Sequence, residues 1–502
     1  MFKKILIANR GEIAVRVIKA CQELGITATA VYSEADRSSL HVQSADEAVY
    51  VGAAPAGESY LNIDVIIQAA KDTGCEAIHP GYGFLAENAE FVLRCEEEGI
   101  VFIGPNSKAM KLVGDKIRSR LAMEKAGIPI IPGMKGDLQD PSKYISEAEI
   151  IGYPVMVKAS AGGGGKGMRI VYKEADLRPA LEAGKREAKA AFGNDSVYLE
   201  KYIEEPRHVE FQVLADNFSN TVHIFERECS IQRRHQKIVE ESPSVALETD
   251  LREKMGKVAC KVIQVSGYNN TGTVEFLLDK DKKFYFLEVN ARLQVEHPVT
   301  ELISGIDLVL QQIEIAAGKK LAFKQKELQQ KGHAIECRIY AEDPQNNFLP
   351  SSGKVLFLKE PSGPGVRFDC GIYSGCDVPV YYDPILAKLI VWAENRDKAC
   401  RRMLKALADC VVLGIKTNIE FLKDLIGHPR FKEGKTTTNF IQKNFPNWSP
   451  PEKPENLKEL ALSAAAFNSQ KSSFQGGGYG AEPKEVYSPW TKLGKWSIGG
   501  GK

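Results

Sequence analysis

The most regular pattern of the chain lies between residues 288 and 296, where polar and apolar residues alternate without a break. A period of two is typical of an extended segment with one buried face. The opposite face is rich in chemical groups, and its members are Glu288, Asn290, Arg292, Gln294 and Glu296. We call these five residues the polar row. Their density favours a functional site over a solvated hairpin, which is the ordinary interpretation of such a pattern.

A second apolar-rich stretch, residues 273–279, lies just upstream and is joined to the first by four charged residues. If this short loop closes a hairpin, Asp279 pairs with Phe284 and Glu275 falls opposite Glu288. Like charges that face each other across a strand pair are unfavourable, and a divalent cation between them reverses that sign. Hard oxygen ligands suit Mg²⁺ or Mn²⁺. The hairpin therefore predicts a metal site.

The start of the chain alternates predicted strands and helices, which is typical of a parallel α/β domain. Residues 4–8 and 28–32 are predicted strands, and apolar residues at helical spacing predict a helix over 13–24. The first turn, residues 9–12 (NRGE), lacks the glycines that let a pyrophosphate approach the backbone. We therefore expect a scaffold without a dinucleotide site, with one loop, residues 79–87, facing a site elsewhere.

A glycine-rich loop, residues 161–167, separates two predicted strands, 154–158 and 168–172. Its glycines match G-x-G-x-x-G, but that fingerprint belongs at the start of a helix. A loop between two strands is instead typical of a flap that closes over phosphates. Lys158 at its base and Lys166 at its tip supply positive charge. The alternative is a flexible hairpin in solvent.

Three later stretches carry further candidates. Residues 197–203 form a predicted strand, and in a nucleotide site its backbone would form hydrogen bonds with an adenine ring. The strand predicted over 333–342 contains Arg338 in an apolar setting, and a buried arginine needs an anionic partner. A basic cluster, which is either a solvated face or a set of phosphate ligands, consists of Arg233, Arg234, His235 and Lys237.

Composition excludes several classes of protein. A chain of 502 residues with 43% hydrophobic and 26% charged residues is typical of a globular protein with two to four domains. The formal net charge of +1 gives no overall attraction to nucleic acid or to an anionic membrane. No apolar run approaches the roughly 18 residues that a membrane span needs, and the start lacks a signal peptide. Ten scattered cysteines without a Cys-x-x-Cys pair favour the cytoplasm.

Seven motifs together resemble biotin carboxylase, a member of the ATP-grasp superfamily, over residues 1–445. They are KILIANRGEIAVR, HPGYGFLAEN, GDK, KASAGGGGKGMRIV, RHVEFQV, QRRHQKIVEE and EVNARLQVEHPVTE. The resemblance implies an α/β protein with a Rossmann-like parallel sheet domain, an ATP-grasp domain with a mobile glycine-rich lid, and a mixed α/β domain. The expected ranges are 1–114, 115–330 (lid about 131–203) and 331–446, followed by a linker and tail of unknown role, 447–502.

The resemblance also implies a reaction: ATP- and bicarbonate-dependent carboxylation of biotin on a separate carrier protein, through carboxyphosphate. The expected ATP-binding residues are Lys116, Lys158, Gly163, Gly164, Gly165, Glu200, Lys201, Ile203, His208, Gln232 and His235. Two Mg²⁺ or Mn²⁺ ions are expected on Glu275, Glu288 and Asn290. Bicarbonate and biotin are expected to meet Lys237, Arg292, Gln294, the Val295 backbone and Arg338. Glu296 is the expected base for bicarbonate, and Arg338 is expected to stabilise the biotin enolate.

The resemblance predicts one subunit of a larger enzyme, because the chain lacks both a biotinyl Ala-Met-Lys-Met turn and a carboxyltransferase-sized region. The expected partners are a biotin carboxyl carrier protein, a carboxyltransferase subunit and a second copy of the chain. Residues 488–496 (SPWTKLGKW) look like a segment of some acyl-CoA carboxylase subunits, and Trp490 and Trp496 are the expected docking residues. The final carboxyl acceptor and the dimer interface stay open.

Two alternatives compete with this interpretation. Another ATP-grasp ligase would activate a carboxylate or bicarbonate as an acyl phosphate, and the bicarbonate-activating half of carbamoyl phosphate synthetase is the nearest example. A catalytically silent assembly subunit would have lost one of the residues Lys116, Lys237, Glu275, Glu288 or Glu296, and all five are present.

Overall fold

Five parallel strands with intervening helices form the first sheet of the protein. Its strands are β1 (Lys4–Ile7), β2 (Thr27–Tyr32), β3 (Glu47–Tyr50), β4 (Ala77–His79) and β5 (Val101–Phe102). The helices are α1 (Gly11–Glu23), α2 (Leu40–Ser44), α3 (Ile63–Asp72) and α4 (Ala89–Glu97). The strand order is β3-β2-β1-β4-β5, and every neighbouring pair is parallel. The predicted N-terminal parallel sheet is therefore confirmed.

The structure is a computed structural model that describes residues 1–134, 141–159, 168–234, 236–452, 456 and 459–466. The chain divides into a unit from Met1 to Ser449 and a unit from Pro450 to Lys502. In the second unit, residues 459–466 are helical. None of the helices within the described ranges combines the length and the apolar character that a membrane crossing requires.

A small antiparallel sheet follows the parallel one. The elements between the two sheets and within the small one are α5 (Ser107–Gly114), α6 (Lys116–Lys125), α7 (Pro141–Ile151), β6 (Val155–Ala159), β7 (Arg169–Val171), α8 (Leu177–Phe192) and β8 (Val197–Lys201). The strand order is β7-β6-β8. This sheet packs with α7 and α8 around its own apolar cluster, which includes Tyr144, Val157 and Leu199. It occupies the range predicted for the lid.

The remaining elements complete the first unit. Residues 207–316 contain β9 (Arg207–Ala215), β10 (Thr221–Arg233), β11 (Gln236–Ser242), α9 (Thr249–Ser266), β12 (Asn270–Leu278), β13 (Phe284–Asn290), α10 (His297–Ser304) and α11 (Leu308–Ala316). Residues 333–444 contain β14 (His333–Tyr340), β15 (Glu342–Asp343), β16 (Leu349–Pro350), β17 (Gly353–Lys354), β18 (Phe357–Lys359), β19 (Val366–Cys370), β20 (Asp377–Val378), β21 (Ile385–Ala393), α12 (Arg396–Asp409), β22 (Val411–Leu413), α13 (Ile419–Gly427), α14 (Pro429–Lys432) and α15 (Phe440–Asn444).

One eight-stranded antiparallel sheet joins both of these regions. Its order is β13-β12-β9-β10-β11-β14-β21-β19. The pairing of β11 with β14 carries the sheet across the domain boundary predicted at residue 330, which stays a prediction. Because neighbouring strands share faces, residues far apart in sequence are brought side by side across this sheet.

The hairpin of β12 and β13 differs in register from the prediction. The predicted pair of Asp279 with Phe284 is wrong, since Leu278 is the partner of Phe284. The register shifts beyond the pair of Phe276 and Phe286, where one extra residue is accommodated in β13. This bulge brings Glu275 opposite Glu288, as predicted.

The polar row leaves the sheet earlier than its alternation suggests. Strand β13 ends at Asn290, and the next amide, that of Ala291, donates to the Glu87 carboxylate at 3.1 Å. The side chain of Leu293 then packs into an apolar cluster that it forms with residues of α1 and α11. Consequently Glu296 lies at the start of α10, where it is fully buried.

We expect the core below the site to tolerate truncation poorly. Phe276 is fully buried and packs edge-on against Phe211, Phe284 and Phe286 at centroid distances of 6.2, 5.6 and 6.5 Å. Phe276→Ala should destabilise the protein by about 3–5 kcal/mol through the cavity that it leaves. Ile150→Ala is the control, because Ile150 is 78% exposed and should change stability by less than about 0.5 kcal/mol. Urea unfolding monitored by fluorescence measures both, and equal effects would contradict this description of the core.

Candidate active site

A cavity of about 800 Å³ lies between the parallel sheet, the small sheet and the large sheet. Among the residues predicted for the site, those that line it are Lys116, Lys158, Glu200, Lys201, Ile203, His208, Gln232, Lys237, Glu275, Glu288, Asn290, Arg292, Gln294, Val295 and Arg338. Glu296 contacts two of these lining residues. The predicted residues Gly163, Gly164, Gly165 and His235 lie outside the described residues. The structure thus gathers at one place residues that are spread over more than 200 positions of sequence.

The centre of the site is the ammonium group of Lys237. Its Nζ donates to Glu210 at 2.6 Å, to Glu275 at 2.7 Å and to Glu296 at 2.8 Å. Burial by itself lowers the pKa of Lys237, but the three carboxylates outweigh burial and hold that pKa well above its ordinary value. Lys237 is therefore a permanent cation that two neighbouring strands, β9 and β12, share with the start of α10.

Each of the three carboxylates also has a second basic neighbour. Glu210 accepts from the fully buried Arg227 at 2.6 Å. His208 Nε2 lies 3.0 Å from Glu275 Oε2, and Arg338 donates to Glu296 at 3.0 Å. Acidic and basic side chains thus alternate in space around Lys237, as buried charges require.

Burial and these basic neighbours have opposite effects on the pKa of each carboxyl group: burial raises the pKa, and the neighbours lower it. Burial opposes ionisation of Glu296, but Lys237, Arg338 and Arg227 outweigh burial and hold its pKa below the ordinary range. Burial likewise opposes ionisation of Glu275, and Lys237 and His208 again lower its pKa. Glu296 is therefore an ionised carboxylate in a buried setting, which is the state that a general base needs.

Arg338 has the anionic partners that its apolar strand led us to expect. Its Nε donates to Glu240 at 2.6 Å, and its Nη2 donates to Glu296 at 3.0 Å. Burial raises the pKa of Glu240 to about 7, although Arg338 partly offsets that effect. Arg338 is thus fixed between two glutamates, with its guanidinium group at the cavity wall.

Arg292 contacts two other members of the polar row and one residue of the N-terminal sheet region. It donates to Asn290 Oδ1 and to Gln294 Oε1, both at 3.1 Å, and its Nε lies 3.1 Å from Glu87 Oε2. Glu87 belongs to the loop that we expected to face a site. Arg292 also donates to the carbonyl oxygen of Leu293 at 3.2 Å, so four acceptors orient its guanidinium group, which still lines the cavity.

The donor set predicted for the metal fits a hard divalent cation. Glu275 and Glu288 are direct partners across the hairpin, and Asn290 donates its amide hydrogen to Glu275 at 2.8 Å. Two carboxylates and an amide oxygen suit Mg²⁺ or Mn²⁺. Ligand atoms of His208, Glu210 and Glu275 also lie within 4.8 Å of one another, but the Lys237 ammonium already contacts two of these residues. The metal site on Glu275, Glu288 and Asn290 stays a prediction.

The other end of the cavity carries the residues predicted for ATP. Lys158 donates to Glu200 at 2.6 Å, and Lys116 lies 3.4 Å from Glu288. Lys201 donates to the carbonyl oxygens of Gly152 and Tyr153, so its side chain supports the base of the small sheet. Gln232 and His208, predicted near the nucleotide, contact each other at 2.8 Å.

Sequence reasoning missed Glu210 and Glu240 as site residues, whereas Glu87 lies in the loop 79–87 that was expected to face a site. Glu210 follows His208 by two positions in β9, so the same period of two that exposed the polar row would have found it. Glu240 has no such local signal, because its partner Arg338 lies 98 residues away in the sequence.

Comparisons with known proteins agree with the geometry. The N-terminal and C-terminal domain profiles of biotin carboxylase match residues 1–110 and 336–443, and the profile "Carbamoyl-phosphate synthase L chain, ATP binding domain" matches residues 115–324. A biotin carboxylase of Nostoc is 51% identical over 441 residues, which is 88% of this chain and 99% of that protein. The methylcrotonoyl-CoA carboxylase subunit alpha of Dictyostelium discoideum is 49% identical over 99% of this chain and 70% of that protein.

A solved structure extends the agreement to the fold. The biotin carboxylase domain dimer of Hydrogenobacter thermophilus 2-oxoglutarate carboxylase, in complex with MgADP, ADP and bicarbonate, has a TM-score of 0.87 and 47% identity over 90% of this chain and all of that one. Fold and site together define an ATP-dependent ligase of the ATP-grasp class. Within that class, the chain belongs to the biotin carboxylase family. The two flanking biotin carboxylase matches favour this family over carbamoyl phosphate synthetase.

The charge cluster predicts a pH dependence of stability that Lys237 controls. In the native protein the pKa values of Glu275 and Glu296 are lowered. Their contribution to the free energy of unfolding is therefore fully present above their ordinary pKa, and it is lost as pH falls through the lowered pKa of the native state. Lys237→Met removes the shared cation, and burial then raises both pKa values. The variant should lose about 3–5 kcal/mol at pH 7, and this loss should shrink as pH falls towards 5.

The measurement is the urea midpoint of both proteins at pH 5, 6, 7 and 8. Lys405→Met is the control, because Lys405 forms an exposed pair with Asp409 and should contribute about 0.3–0.5 kcal/mol at most. A loss in Lys237→Met that stays constant over this pH range would contradict the account of the carboxylates.

Proposed function

We propose that this chain carboxylates biotin on a separate carrier protein, using bicarbonate and ATP, and that the residues gathered at the cavity do so in the roles below. The observation that carries the proposal is the state of Glu296. It is an ionised, fully buried carboxylate held between Lys237 and Arg338, and both of these cations line the cavity. A poor nucleophile such as bicarbonate attacks a phosphoryl group more readily when a base in that position accepts its proton.

Lys116 and Lys158 bind the phosphates of ATP in this proposal, and Glu200, Lys201 and Ile203 meet the adenine. His208 and Gln232 complete the nucleotide end. The parts given to Gly163, Gly164, Gly165 and His235 rest on the sequence resemblance alone. Glu275, Glu288 and Asn290 hold Mg²⁺ or Mn²⁺, which when bound balances charge on the transferred phosphoryl group. Lys116 orients Glu288 for that task.

Bicarbonate binds between Lys237, Arg292, Gln294 and the Val295 backbone. Glu296 accepts its proton, and the resulting oxyanion attacks the γ-phosphoryl group of ATP. The bond between that phosphorus and the ADP oxygen breaks, so ADP leaves and carboxyphosphate remains. Arg292 is pre-oriented by Glu87, Asn290 and Gln294, which lowers the entropic cost of holding the anion.

Biotin is carboxylated in the second stage. Carboxyphosphate breaks its carbon–oxygen bond to give CO₂ and phosphate, and the phosphate accepts the N1′ proton of biotin. The enolate that forms faces Arg338 and captures CO₂ to give carboxybiotin. Glu240 and Glu296 fix the Arg338 guanidinium in advance, so no reorganisation is needed when the negative charge develops.

Biotin carboxylase subunits act with a carrier protein and a carboxyltransferase. For this chain we propose a biotin carboxyl carrier protein and a carboxyltransferase subunit as separate partners, and a homodimer, which the dimeric neighbour supports. The domain ranges 1–114, 115–330 and 331–446 are proposals that the profile matches at 1–110, 115–324 and 336–443 support. All ten cysteines are unpaired, which supports a reducing compartment such as the cytoplasm.

The tail, residues 447–502, lies beyond the three profile matches. Trp490 and Trp496 lie outside the described residues. We propose that the tail docks on a partner subunit, and the match to an acyl-CoA carboxylase alpha subunit over 99% of the chain supports that role. Deletion of residues 447–502 should therefore weaken assembly with the partner subunits and leave biotin-stimulated ATP cleavage intact.

The test of the proposed function is phosphate release from MgATP by the full chain, with and without bicarbonate and free biotin. We expect turnover to depend on bicarbonate and to rise with biotin. Glu296→Ala should lower the rate by about 10²–10⁴-fold, because it removes the base. Glu253→Ala is the matched control, since Glu253 is an exposed helical glutamate. Turnover that ignores biotin would favour another ATP-grasp ligase instead.

A further inference from the structure

A second buried lysine, Lys388, lies beside the site on the opposite side of Arg338 from Glu240. It is on β21, its side chain is fully buried, and it is the direct partner of Arg338 on β14 and of Asp369 on β19. Direct partners in antiparallel strands point to the same face of the sheet. Lys388 therefore projects from the large sheet on the same side as Arg338.

The ammonium group of Lys388 contacts three other elements. Its Nζ donates to the carbonyl oxygen of Val295 at 3.2 Å, and it lies 3.1 Å from Glu12 Oε2 at the start of α1 and 3.8 Å from Asp369 Oδ2. Val295 precedes Glu296 directly and lines the cavity. Lys388 thus forms a hydrogen bond with the backbone of the turn that carries Glu296, the proposed base.

The two acidic partners do not by themselves explain a fully buried lysine. Asp369 already has a bidentate partner, because Arg367 donates to its two oxygens at 2.9 and 2.7 Å. Apart from the Lys388 contact, neither carboxylate oxygen of Glu12 has a hydrogen-bond partner among the described residues. Burial raises the pKa of Glu12 to about 7, with Lys388 only partly offsetting that rise. A pair of this kind is a weak source of stability.

We infer that Lys388 is a positioning residue for bicarbonate: by holding the Val295 carbonyl, it fixes the turn that presents the Val295 backbone and Glu296 to that substrate. The inference rests on the proposed function of this site. The nucleotide end is built by Lys116, Lys158 and Glu200, none of which contacts Lys388 in the described structure. Loss of Lys388 should therefore affect bicarbonate and spare ATP.

The experiment compares four variants of the full chain by the biotin-stimulated release of phosphate. Lys388→Met keeps the side-chain length and removes the donor to Val295. We expect the KM for bicarbonate to rise about tenfold or more, because a charged hydrogen bond to the turn is lost, and the KM for ATP to stay within about twofold. Lys388→Arg keeps the charge and should restore part of the bicarbonate affinity.

Two further variants separate positioning from charge burial. Glu12→Gln with Lys388→Met removes both charges of the buried pair, so it should regain stability but keep the high KM for bicarbonate. Arg367→Met is the matched control: it breaks ion pairs with Asp369 and Glu301 in the same buried network without contact to Val295. It should lower stability and leave the KM for bicarbonate unchanged.

Hydrogen exchange of a peptide spanning residues 290–300 gives a readout that does not depend on turnover. The amides of Glu296 and His297 should exchange faster in both variants that contain Lys388→Met, and at the native rate in Arg367→Met. An unchanged KM for bicarbonate in Lys388→Met, or full recovery of that KM in the double variant, would overturn the inference. An inactive native chain with the expected exchange pattern would instead contradict the proposed function and leave the positioning supported.

Discussion

The structure of the site depends on one buried positive charge. Lys237 is shared by Glu210, Glu275 and Glu296, and without it three carboxylates would stand together away from water. The arrangement holds because each carboxylate also has a neighbour of its own in Arg227, His208 or Arg338. The same interaction that stabilises the centre keeps Glu296 ionised, so the structural and chemical requirements of the site are met by one contact.

The large antiparallel sheet is what makes that contact possible. Neighbouring strands bring residues from β9, β11, β12 and β14 onto one surface, although they span more than 100 positions of sequence. Strand β21 continues this surface to Lys388, and the parallel sheet approaches it from the other side through Glu12 and Glu87. The N-terminal and C-terminal regions of this chain thus both supply side chains next to the turn that carries Glu296.

Much of this was predictable where the signal is local. The alternation from Glu288 to Glu296 marked the polar row, and Glu275 lies opposite Glu288 as predicted, although the predicted pair next to the loop was wrong. The exact pairs near the loop were not predictable, because the bulge in β13 adds one residue that no local propensity marks. The strand also ends at Asn290 because a carboxylate from a distant loop takes over the next amide, which only the folded chain reveals. For the same reason the roles of Glu240 and Lys388 could not be predicted, because they depend on contacts with residues distant in sequence, which periodicity does not encode.

The measurement that tests the central claim most directly follows the oxygen atoms of bicarbonate. If Glu296 activates bicarbonate for attack on the γ-phosphoryl group, then ¹⁸O-labelled bicarbonate with MgATP and biotin must transfer one labelled oxygen to each phosphate released. Mass spectrometry of that phosphate at times short relative to oxygen exchange with water gives the answer. One labelled oxygen per phosphate is the result that the account predicts. Carboxybiotin formed together with unlabelled phosphate would contradict it.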